Sequence, residues 1–285
     1  MTSERAVRIP QAADVIIDGD LVVPEASHGV VVFAHGTGSG RHSPRNQWVA
    51  SQLQRRGLAT LLLDLLTPDE EEVDLRTRHL RFDVGLLAGR LATAAAWVGG
   101  QPDLPRVPIG YFGASTGAAA ALIAAAEAPD RVAAVVSRGG RPDLAWERLR
   151  QVHCPTLLIV GGADEVVLDL NRQALAQLEA EAALEIVPGA THLFEEPGAL
   201  DAVADLASRW FTTHLPDDGA HSSGKPEGDE KEWIPLAEAA AIAGCPEPWL
   251  MDRCRDGRLP SRPVSGSRLV PLTTVRALVA GRISE

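Results

Sequence analysis

The sequence predicts a doubly wound, mostly parallel α/β sheet that is followed by a small helix-turn-helix-like domain. Short runs of β-branched residues and leucine alternate with longer helix-like segments over the first 215 residues. A charged stretch without large apolar residues follows, and a shorter pattern of helices and a hairpin completes the 285-residue chain. Continuous apolar strands that alternate with helices are typical of a parallel sheet with both faces covered.

Six apolar runs are predicted to form the strands of this sheet: Val30–Ala34, Ala59–Asp64, Val107–Phe112, Val132–Ser137, Thr156–Val160 and Leu184–Val187. Helical periodicity predicts the helices Arg45–Arg56, Leu80–Val98, Ser115–Ala126, Asp169–Ala180 and Gly198–His214. Ahead of them, two apolar runs flank the turn-like Asp18-Gly19-Asp20. We therefore expect antiparallel strands at one edge of the sheet.

The distribution of charge divides the chain into three parts. Residues 1–215 carry a net charge of −9, residues 216–232 carry −4, and residues 233–285 carry +2. The middle part, PDDGAHSSGKPEGDEKE, has no apolar residue larger than alanine, so it is predicted to be a flexible acidic linker. The prediction is thus a large domain over 1–215, a linker over 216–232 and a small domain over 233–285.

The composition argues against several classes of protein. A net charge of −11 disfavours wholesale nucleic-acid binding. No apolar segment reaches the length of a membrane span, and the N-terminus lacks the apolar core of a secretory signal. The three cysteines form no closely spaced pair. We therefore expect a cytoplasmic protein with no membrane contact, no metal and no cofactor.

Three polar residues are predicted to share one edge of the sheet. Ser115, within Gly113-Ala114-Ser115-Thr116-Gly117, follows the Val107 strand; Asp164 follows the Thr156 strand; His192 follows the Leu184 strand. Ligands of such sheets bind beyond the carboxyl ends of the strands. Gly-x-Ser-x-Gly between a strand and a helix is typical of a nucleophile elbow, whose hydroxyl is exposed on a sharp turn.

These residues suit acyl transfer. Ser115 would attack a carbonyl, His192 would accept its proton, and Asp164 would orient His192. The N–H of Thr116 and one from the Gly36-Thr37 turn would hold the negative oxygen of the intermediate.

Less specific interpretations stay open at this point. Ser115 is alternatively a serine in a plain tight turn, and Glu165 is an alternative to Asp164 as the orienting acid. His35 is expected to be structural and to hold the oxyanion turn. The order serine, acid, histidine, each beyond a predicted strand, favours the catalytic hypothesis.

These motifs resemble the α/β-hydrolase superfamily and, within it, the dienelactone hydrolase-like group. The resemblance covers residues 7–215 and is carried by VVVFAHGTGSG, GYFGASTGAAAAL, TLLIVGGADEVV and VPGATHLFEEPGAL. It implies hydrolysis of a small-molecule ester, lactone or similar acyl compound, with Asp164 and His192 as acid and base. Dienelactone hydrolases proper use a cysteine nucleophile, whereas this chain has Ser115, so the resemblance implies a carboxylesterase-like serine hydrolase.

Two features bear on the substrate. The short connection between the Val132 and Thr156 strands leaves room for only a minimal cap, which predicts an open site. Four arginines, Arg41, Arg45, Arg138 and Arg141, are expected near the catalytic rim. At least one is hypothesised to bind a substrate carboxylate or phosphate. The alternative is that Arg141 pairs with Asp143 and the others with Asp69–Glu72.

The C-terminal residues predict a small winged helix-turn-helix. A helix over Leu236–Ala243 is followed by a second one that begins near Pro248 and stops at Asp256-Gly257. A hairpin over Leu259–Leu269, around Ser265-Gly266, and a last helix over Leu272–Ala280 complete it. The segments AEAAAIAG and DGRLP resemble the excisionase/MerR-type helix-turn-helix, which implies DNA binding.

Acidic residues in the second helix keep other roles open. Glu247 and Asp252 would face DNA phosphates unfavourably, so a protein contact through 233–285 is an equal alternative. Three functional hypotheses follow: a serine hydrolase with an accessory domain, a DNA-binding regulator whose hydrolase-like domain senses a ligand, and a scaffold. The sequence sets no oligomeric state.

Overall fold

The computed structural model describes residues 2–12, 15–104, 107–215, 233–243, 245–255, 259, 261–264, 267–271 and 275. The chain divides into two compact units, Met1–Ala220 and His221–Glu285. The boundary falls within the predicted linker 216–232, which lies outside the described residues. Within the described part, no helix is long and apolar enough to cross a membrane.

The first unit is built on one eight-stranded sheet in the order β1-β2-β4-β3-β5-β6-β7-β8. Its strands are β1 Ser3–Pro10, β2 Ile16–Val23, β3 Gly29–Ala34, β4 Leu58–Leu63, β5 Ile109–Ala114, β6 Val132–Arg138, β7 Thr156–Gly161 and β8 Ala182–Val187. Strand β2 pairs antiparallel with β1 and β4, and the remaining pairs are parallel. A mostly parallel α/β sheet with an antiparallel edge confirms the fold class predicted for the first domain.

Helices cover both faces of this sheet. They are α1 Pro44–Gln54, α2 Pro68–Thr77, α3 Val84–Val98, α4 Thr116–Glu127, α5 Glu165–Leu175 and α6 Ala199–His214. Helices α3 and α4 pack in one apolar core, whereas α1 and α6 pack in the core on the opposite face. Residues Thr116–Ala125 of α4 are all buried, and their mostly methyl-sized side chains let the helix lie close to the sheet.

The predicted turn at Asp18-Gly19-Asp20 is wrong, because these residues lie inside β2. Gly19 is opposite Val7 on one side and Leu63 on the other. Alternate residues Ile17, Gly19, Leu21 and Val23 are buried, which is the period of a strand with one covered face. The chain reverses between Pro10 and Ile16 instead.

The helix predicted over Leu80–Val98 is interrupted. A 3₁₀ turn covers Leu80–Phe82, and α3 begins at Val84, where the Asp83 carboxylate accepts the N–H of Leu86 at 3.0 Å. Helix α2 precedes this turn and was not predicted. Helix α5 was predicted to begin at Asp169 but begins at Glu165.

The connection between β6 and β7 contains only a 3₁₀ helix, Pro142–Gln151. This segment therefore adds no large cap over the edge of the sheet, in agreement with the prediction from its length.

The second unit contains β9 Trp233–Pro235, α7 Leu236–Ala243, α8 Glu247–Arg255, β10 Arg262–Val264 and β11 Ser267–Pro271. The strands form a sheet in the order β10-β11-β9. Helix α7 and the hairpin agree with the prediction, whereas β9 was not predicted. Cys254 belongs to the apolar cluster of this unit, and the partly buried Cys245 packs against it, as expected. The predicted stop at 256–257, the turn at 265–266 and nearly all of the last helix lie outside the described residues.

Candidate active site

Ser115 lies on a strained turn between β5 and α4. Its backbone has φ 50° and ψ −118°, a conformation that costs a side-chain-bearing residue about 1–3 kcal/mol. Neighbouring backbone hydrogen bonds hold it there. The Ser115 N–H donates to the Arg138 carbonyl at 3.2 Å, and the Ser115 carbonyl accepts the N–H of Ala118 at 3.2 Å and of Arg141 at 3.1 Å.

Two glycines make this turn sterically feasible. A Cβ at Gly117 would overlap the carbonyl oxygens of Ala34 and His35, and a Cβ at Gly113 would overlap the backbone of Ala118. Between residues 110 and 125, Ser115 is the one residue that is not buried. The turn therefore presents the serine side chain at the edge of an otherwise buried strand and helix.

His192 and Asp164 are in direct contact. Asp164 follows β7, His192 follows β8, and His192 Nδ1 lies 2.7 Å from Asp164 Oδ2. The Ala163 N–H donates to the Ala190 carbonyl at 2.9 Å, which ties the two loops together. With Nδ1–H donating to the carboxylate, Nε2 of the ring is the nitrogen that can accept a proton. The structure thus pairs His192 with Asp164 and not with the alternative acid, Glu165, which begins α5.

The serine and histidine loops meet at the end of β6. Arg138 accepts the Ser115 N–H, and a Cβ on the next residue, Gly139, would lie 3.4 Å from Cε1 of His192. Across the described ranges, no hydrogen bond joins the Ser115 hydroxyl to the imidazole. Catalytic hydrogen bonds are often long without substrate and shorten in the reactive complex.

The predicted oxyanion turn lies against Ser115. A Cβ at Gly36 would be 3.0 Å from Cβ of Ser115. The hydroxyls of Thr37 and Thr116 are 3.2 Å apart and join the turn to the first residue of α4. In the described part of the chain, the N–H groups of Thr37 and Thr116 donate to no other protein group. Both remain available as donors at this end of the sheet.

His35 holds the base of that turn. Its Nδ1–H donates to the Gly36 carbonyl at 2.9 Å, and its Nε2 accepts the N–H of Leu65 at 3.0 Å. Burial lowers the pKa of His35, because protonation would place a positive charge on a ring that is shielded from water. A neutral ring with hydrogen bonds at both nitrogens agrees with the structural role expected from the sequence.

Two of the rim arginines are tied to nearby acids. Arg141 makes two hydrogen bonds to Asp143, at 2.8 and 2.7 Å, as the alternative interpretation had it. Arg41 is paired with Asp64 and lies 3.4 Å from Asp20.

Arg45 and Arg138 differ from that expectation. Arg45 pairs with Glu195 at 3.1 Å. Arg138 is buried at the end of β6, and among the described residues its side chain forms no hydrogen bond or ion pair. The partners proposed within Asp69–Glu72 are therefore wrong for Arg41, Arg45 and Arg138. Two acids of that segment pair with other arginines: Glu70 with Arg90 and Glu72 with Arg76.

A cleft of about 580 Å³ adjoins the oxyanion turn. Residues 35–40 and 42–45, which include Thr37 and Arg45, line it together with Thr116. Ser115 and His192 are not among its lining residues. Helix α2 contributes Glu71, Asp74 and Leu75 to the lining.

Sequence reasoning missed this contribution because α2 was not predicted. The signal was present: Thr67 and Glu70 form a capping box in which each side chain accepts the other's backbone N–H, and Pro68 follows the cap.

The described ranges contain no second cluster of side chains that could bind a metal ion or act as a nucleophile. No group of three or more His, Cys, Asp or Glu side chains there is arranged to hold a metal ion. Burial raises the pKa of the Cys154 thiol to about 11, so it is protonated at neutral pH and is a poor nucleophile.

In the second unit, the Arg253 guanidinium lies 4.0 Å from the centre of the Trp249 ring. A DNA-binding role for that unit remains a prediction.

The profile of the alpha/beta hydrolase fold family matches residues 29–153. A dienelactone hydrolase from Anabaena variabilis is 59% identical, with a TM-score of 0.73, and the match covers 75% of this chain and 99% of that one. The chain belongs to the α/β hydrolase fold family. An esterase of Pyrococcus furiosus, 15% identical with a TM-score of 0.60, shares the fold over 75% of this chain and 94% of its own.

A further relative of this α/β hydrolase fold protein is a Mycobacterium tuberculosis protein that is provisionally named a phosphoribosyl transferase. It is 58% identical over 204 residues, which are 72% of this chain but 45% of that protein. The chain therefore spans less than half the length of the curated relatives that it matches first. More than half of that relative lies outside the match.

Proposed function

We propose that this protein is a serine hydrolase that cleaves a carboxylic ester, lactone or related acyl bond through an acyl-enzyme on Ser115. One observation carries the proposal: His192 is held by Asp164 at 2.7 Å on the same edge of the sheet as the strained, partly exposed Ser115. A serine that only formed a tight turn would not require an oriented imidazole beside it.

Acylation begins when the Ser115 hydroxyl oxygen attacks the substrate carbonyl carbon and His192 Nε2 takes the hydroxyl proton. The negative oxygen of the tetrahedral intermediate accepts the N–H groups of Thr116 and of the Gly36-Thr37 turn. The positive end of α4 favours the same charge. As the intermediate collapses, His192 donates its proton to the leaving alkoxide, and Asp164 stabilises the imidazolium in the interval.

Deacylation repeats these steps with water as the nucleophile. His192 Nε2 removes a proton from water, whose oxygen attacks the acyl carbon. The second tetrahedral intermediate then expels the Ser115 oxygen, which takes from His192 Nε2 the proton that the water lost. This restores the serine hydroxyl and releases a carboxylic acid.

The relatives support the class of bond. The similar protein of Anabaena variabilis is described as a dienelactone hydrolase, and a lactone is a cyclic ester. We do not carry over the phosphoribosyl transferase name, because 45% of that relative is matched here and the name can describe the remainder.

Labelling with a fluorophosphonate probe tests the proposal. We expect purified wild-type protein to be labelled, with the adduct mapped by mass spectrometry to the peptide that contains Ser115. Ser115→Ala should lose the label, whereas Ser39→Ala, a serine of the neighbouring loop, should keep it. Equal labelling of Ser115→Ala, or no labelling of folded wild-type protein, would contradict the proposed nucleophile.

A further inference from the structure

We infer that Arg138 and Arg45 form an anion-binding subsite beside Ser115, and that the substrate carries a carboxylate or phosphate group. The assignment of that anion to a substrate rests on the proposed hydrolase function. The subsite itself rests on the placement of the two guanidinium groups.

Arg138 is a buried cation without a protein counter-charge. Its exposed fraction is 8%, and both Nε and Nη1 are buried without a hydrogen-bond partner in the described structure. Arg141, three residues further on, has a bidentate carboxylate in Asp143. Removing a guanidinium from water without a partner is costly, so a protein that keeps one commonly uses it to bind an anion.

The position of Arg138 directs this charge to the catalytic edge. Its carbonyl accepts the N–H of Ser115 at 3.2 Å, and the following residue, Gly139, borders His192. Side chains alternate along a strand, so Arg138 shares the face of Ala134 and Val136, which is the face covered by α1 and α6. The Arg138 side chain therefore leaves the strand next to the Ser115 turn, on the face that α1 and α6 cover.

Arg45, in that first turn of α1, supplies a second cation. The charge of Arg45 adds to the effect of burial in lowering the pKa of Arg138 to about 10, which leaves Arg138 charged at neutral pH. Two guanidinium groups that repel each other across a partly buried space form a positive site.

The bond between Arg45 and Glu195 does not cancel this charge. The Glu195 side chain is 64% exposed, so its ion pair with Arg45 is screened by water and is easily exchanged for another anion. Arg45 Nε is buried and has no partner in the described part of the chain. Arg45 also lines the cleft beside the oxyanion turn, so a ligand in the cleft can reach it.

The start of α1 adds to the attraction. Ser43 caps this 11-residue helix, and Arg45 lies in its first turn, where the helix dipole favours a negative group. A carboxylate or phosphate has two or more oxygens that can accept parallel N–H bonds from a guanidinium. An ester with such a group would be held at a fixed distance from Ser115 and selected over a neutral ester of the same size.

Matched esters test the selection. The pairs are mono-4-nitrophenyl glutarate against 4-nitrophenyl butyrate, for an anion on the acyl part, and 4-acetoxybenzoate against phenyl acetate, for an anion on the alcohol part. In Arg138→Gln we expect kcat/KM for at least one anionic ester to fall about 30-fold or more, with its neutral partner within about twofold. Arg138→Lys should restore part of the loss, and the exposed Arg148→Gln should change neither ester.

Binding tests the subsite without turnover. In a Ser115→Ala background, glutarate and inorganic phosphate are titrated by calorimetry, and which of them binds tells a carboxylate site from a phosphate site. We expect at least one to bind, and to lose about tenfold or more of its affinity when Arg138→Gln or Arg138→Met is added. The thermal midpoint of these variants should not fall, because an unpaired buried charge is removed.

Three results would overturn the subsite: an equal loss on anionic and neutral esters, no loss on either, or no Arg138-dependent binding of glutarate or phosphate. If wild-type protein cleaves none of the esters, the proposed hydrolase function fails for these substrates. The calorimetric titration then still decides whether the anion subsite exists.

Discussion

The two sides of the candidate site are held in place by different means. On one side, Ser115 is fixed by the backbone: its turn is bonded to β6, and the glycines at 113 and 117 let neighbouring backbone approach it. On the other side, His192 is fixed through a side chain, by one hydrogen bond to Asp164. The position of Ser115 should therefore depend on the space around its backbone and little on side-chain partners, whereas the position of His192 should depend on its side-chain partner.

The largest expected effect is on the His192 side of the site, which is held by the side chain of Asp164. Asp164→Asn keeps the shape of the side chain but replaces the acceptor of the Nδ1–H by an amide that favours the wrong tautomer. We expect kcat to fall by about 10⁴, with the thermal midpoint little changed. Steady-state kinetics with a 4-nitrophenyl ester and a melting curve measure both quantities.

Glu165→Gln is the matched control, since Glu165 is the adjacent acid. Its activity should stay within about twofold of wild type. If Glu165→Gln is the more damaging change, the assignment of the orienting acid is wrong.

On the Ser115 side of the site, which the backbone holds in place, substitutions should mainly change the free energy of unfolding. Gly117→Ala places a methyl group against the Ala34 and His35 carbonyl oxygens, so the strand-to-helix turn must shift. We expect unfolding to become easier by about 1–3 kcal/mol or more, and activity to fall with the displaced serine. Urea denaturation followed by circular dichroism measures the change.

Gly89→Ala provides the contrast within the same unit. Gly89 lies in α3, and a Cβ there would contact nothing within 4 Å. Alanine should stabilise that helix by about 0.5–1 kcal/mol. A Gly117→Ala protein as stable as wild type would show that the close packing at the elbow is not needed.

The smallest expected effect concerns the oxyanion turn beside Ser115, through His35. Burial lowers the pKa of His35 in the folded protein, while the unfolded chain binds a proton near the ordinary value of 6.5. The unfolded state thus binds more protons below that pH, so this contribution to stability is complete above pH 6.5 and is lost as the pH falls further.

His35→Gln should therefore be less stable at pH 8 but should lose less stability between pH 7 and pH 5 than wild type. Denaturant midpoints across this range measure the slope. His42→Gln, at an exposed ring, is the control for the loss of a histidine side chain as such. An unchanged slope in His35→Gln would mean that His35 takes up a proton as readily in the folded protein as in the unfolded chain, which contradicts a lowered pKa.

The sheet and the positions of the three polar residues could be predicted because they depend on local pattern. Apolar runs fixed the parallel strands to within two residues, and the rule that sites follow strand ends placed Ser115, Asp164 and His192. Helix α2 escaped prediction because it is attached by an ion pair between Glu70 and Arg90 and not by an apolar stripe.

Partners of charged side chains could not be predicted from the sequence. Glu195 meets Arg45 across 150 positions, and Asp64 meets Arg41 across 23, so both depend on how the loops return to the sheet. Arg141 and Asp143 are two residues apart, which is why their pairing was accessible. The prediction of a turn at Asp18-Gly19-Asp20 failed for a related reason. Strand partners on both sides outweighed the local turn preference of these residues.

The dense packing of α4 also constrains how this gene can change. Ten consecutive buried positions begin at Thr116, and six of them are alanine. Single-nucleotide changes of an alanine codon mostly introduce a larger, charged or helix-breaking residue, which this interior would reject. Neutral drift should therefore be slowest next to Ser115. Altered substrate preference would arise instead in the loop over residues 36–45 and in α2, where enlarging a side chain reshapes the cleft without disturbing α4.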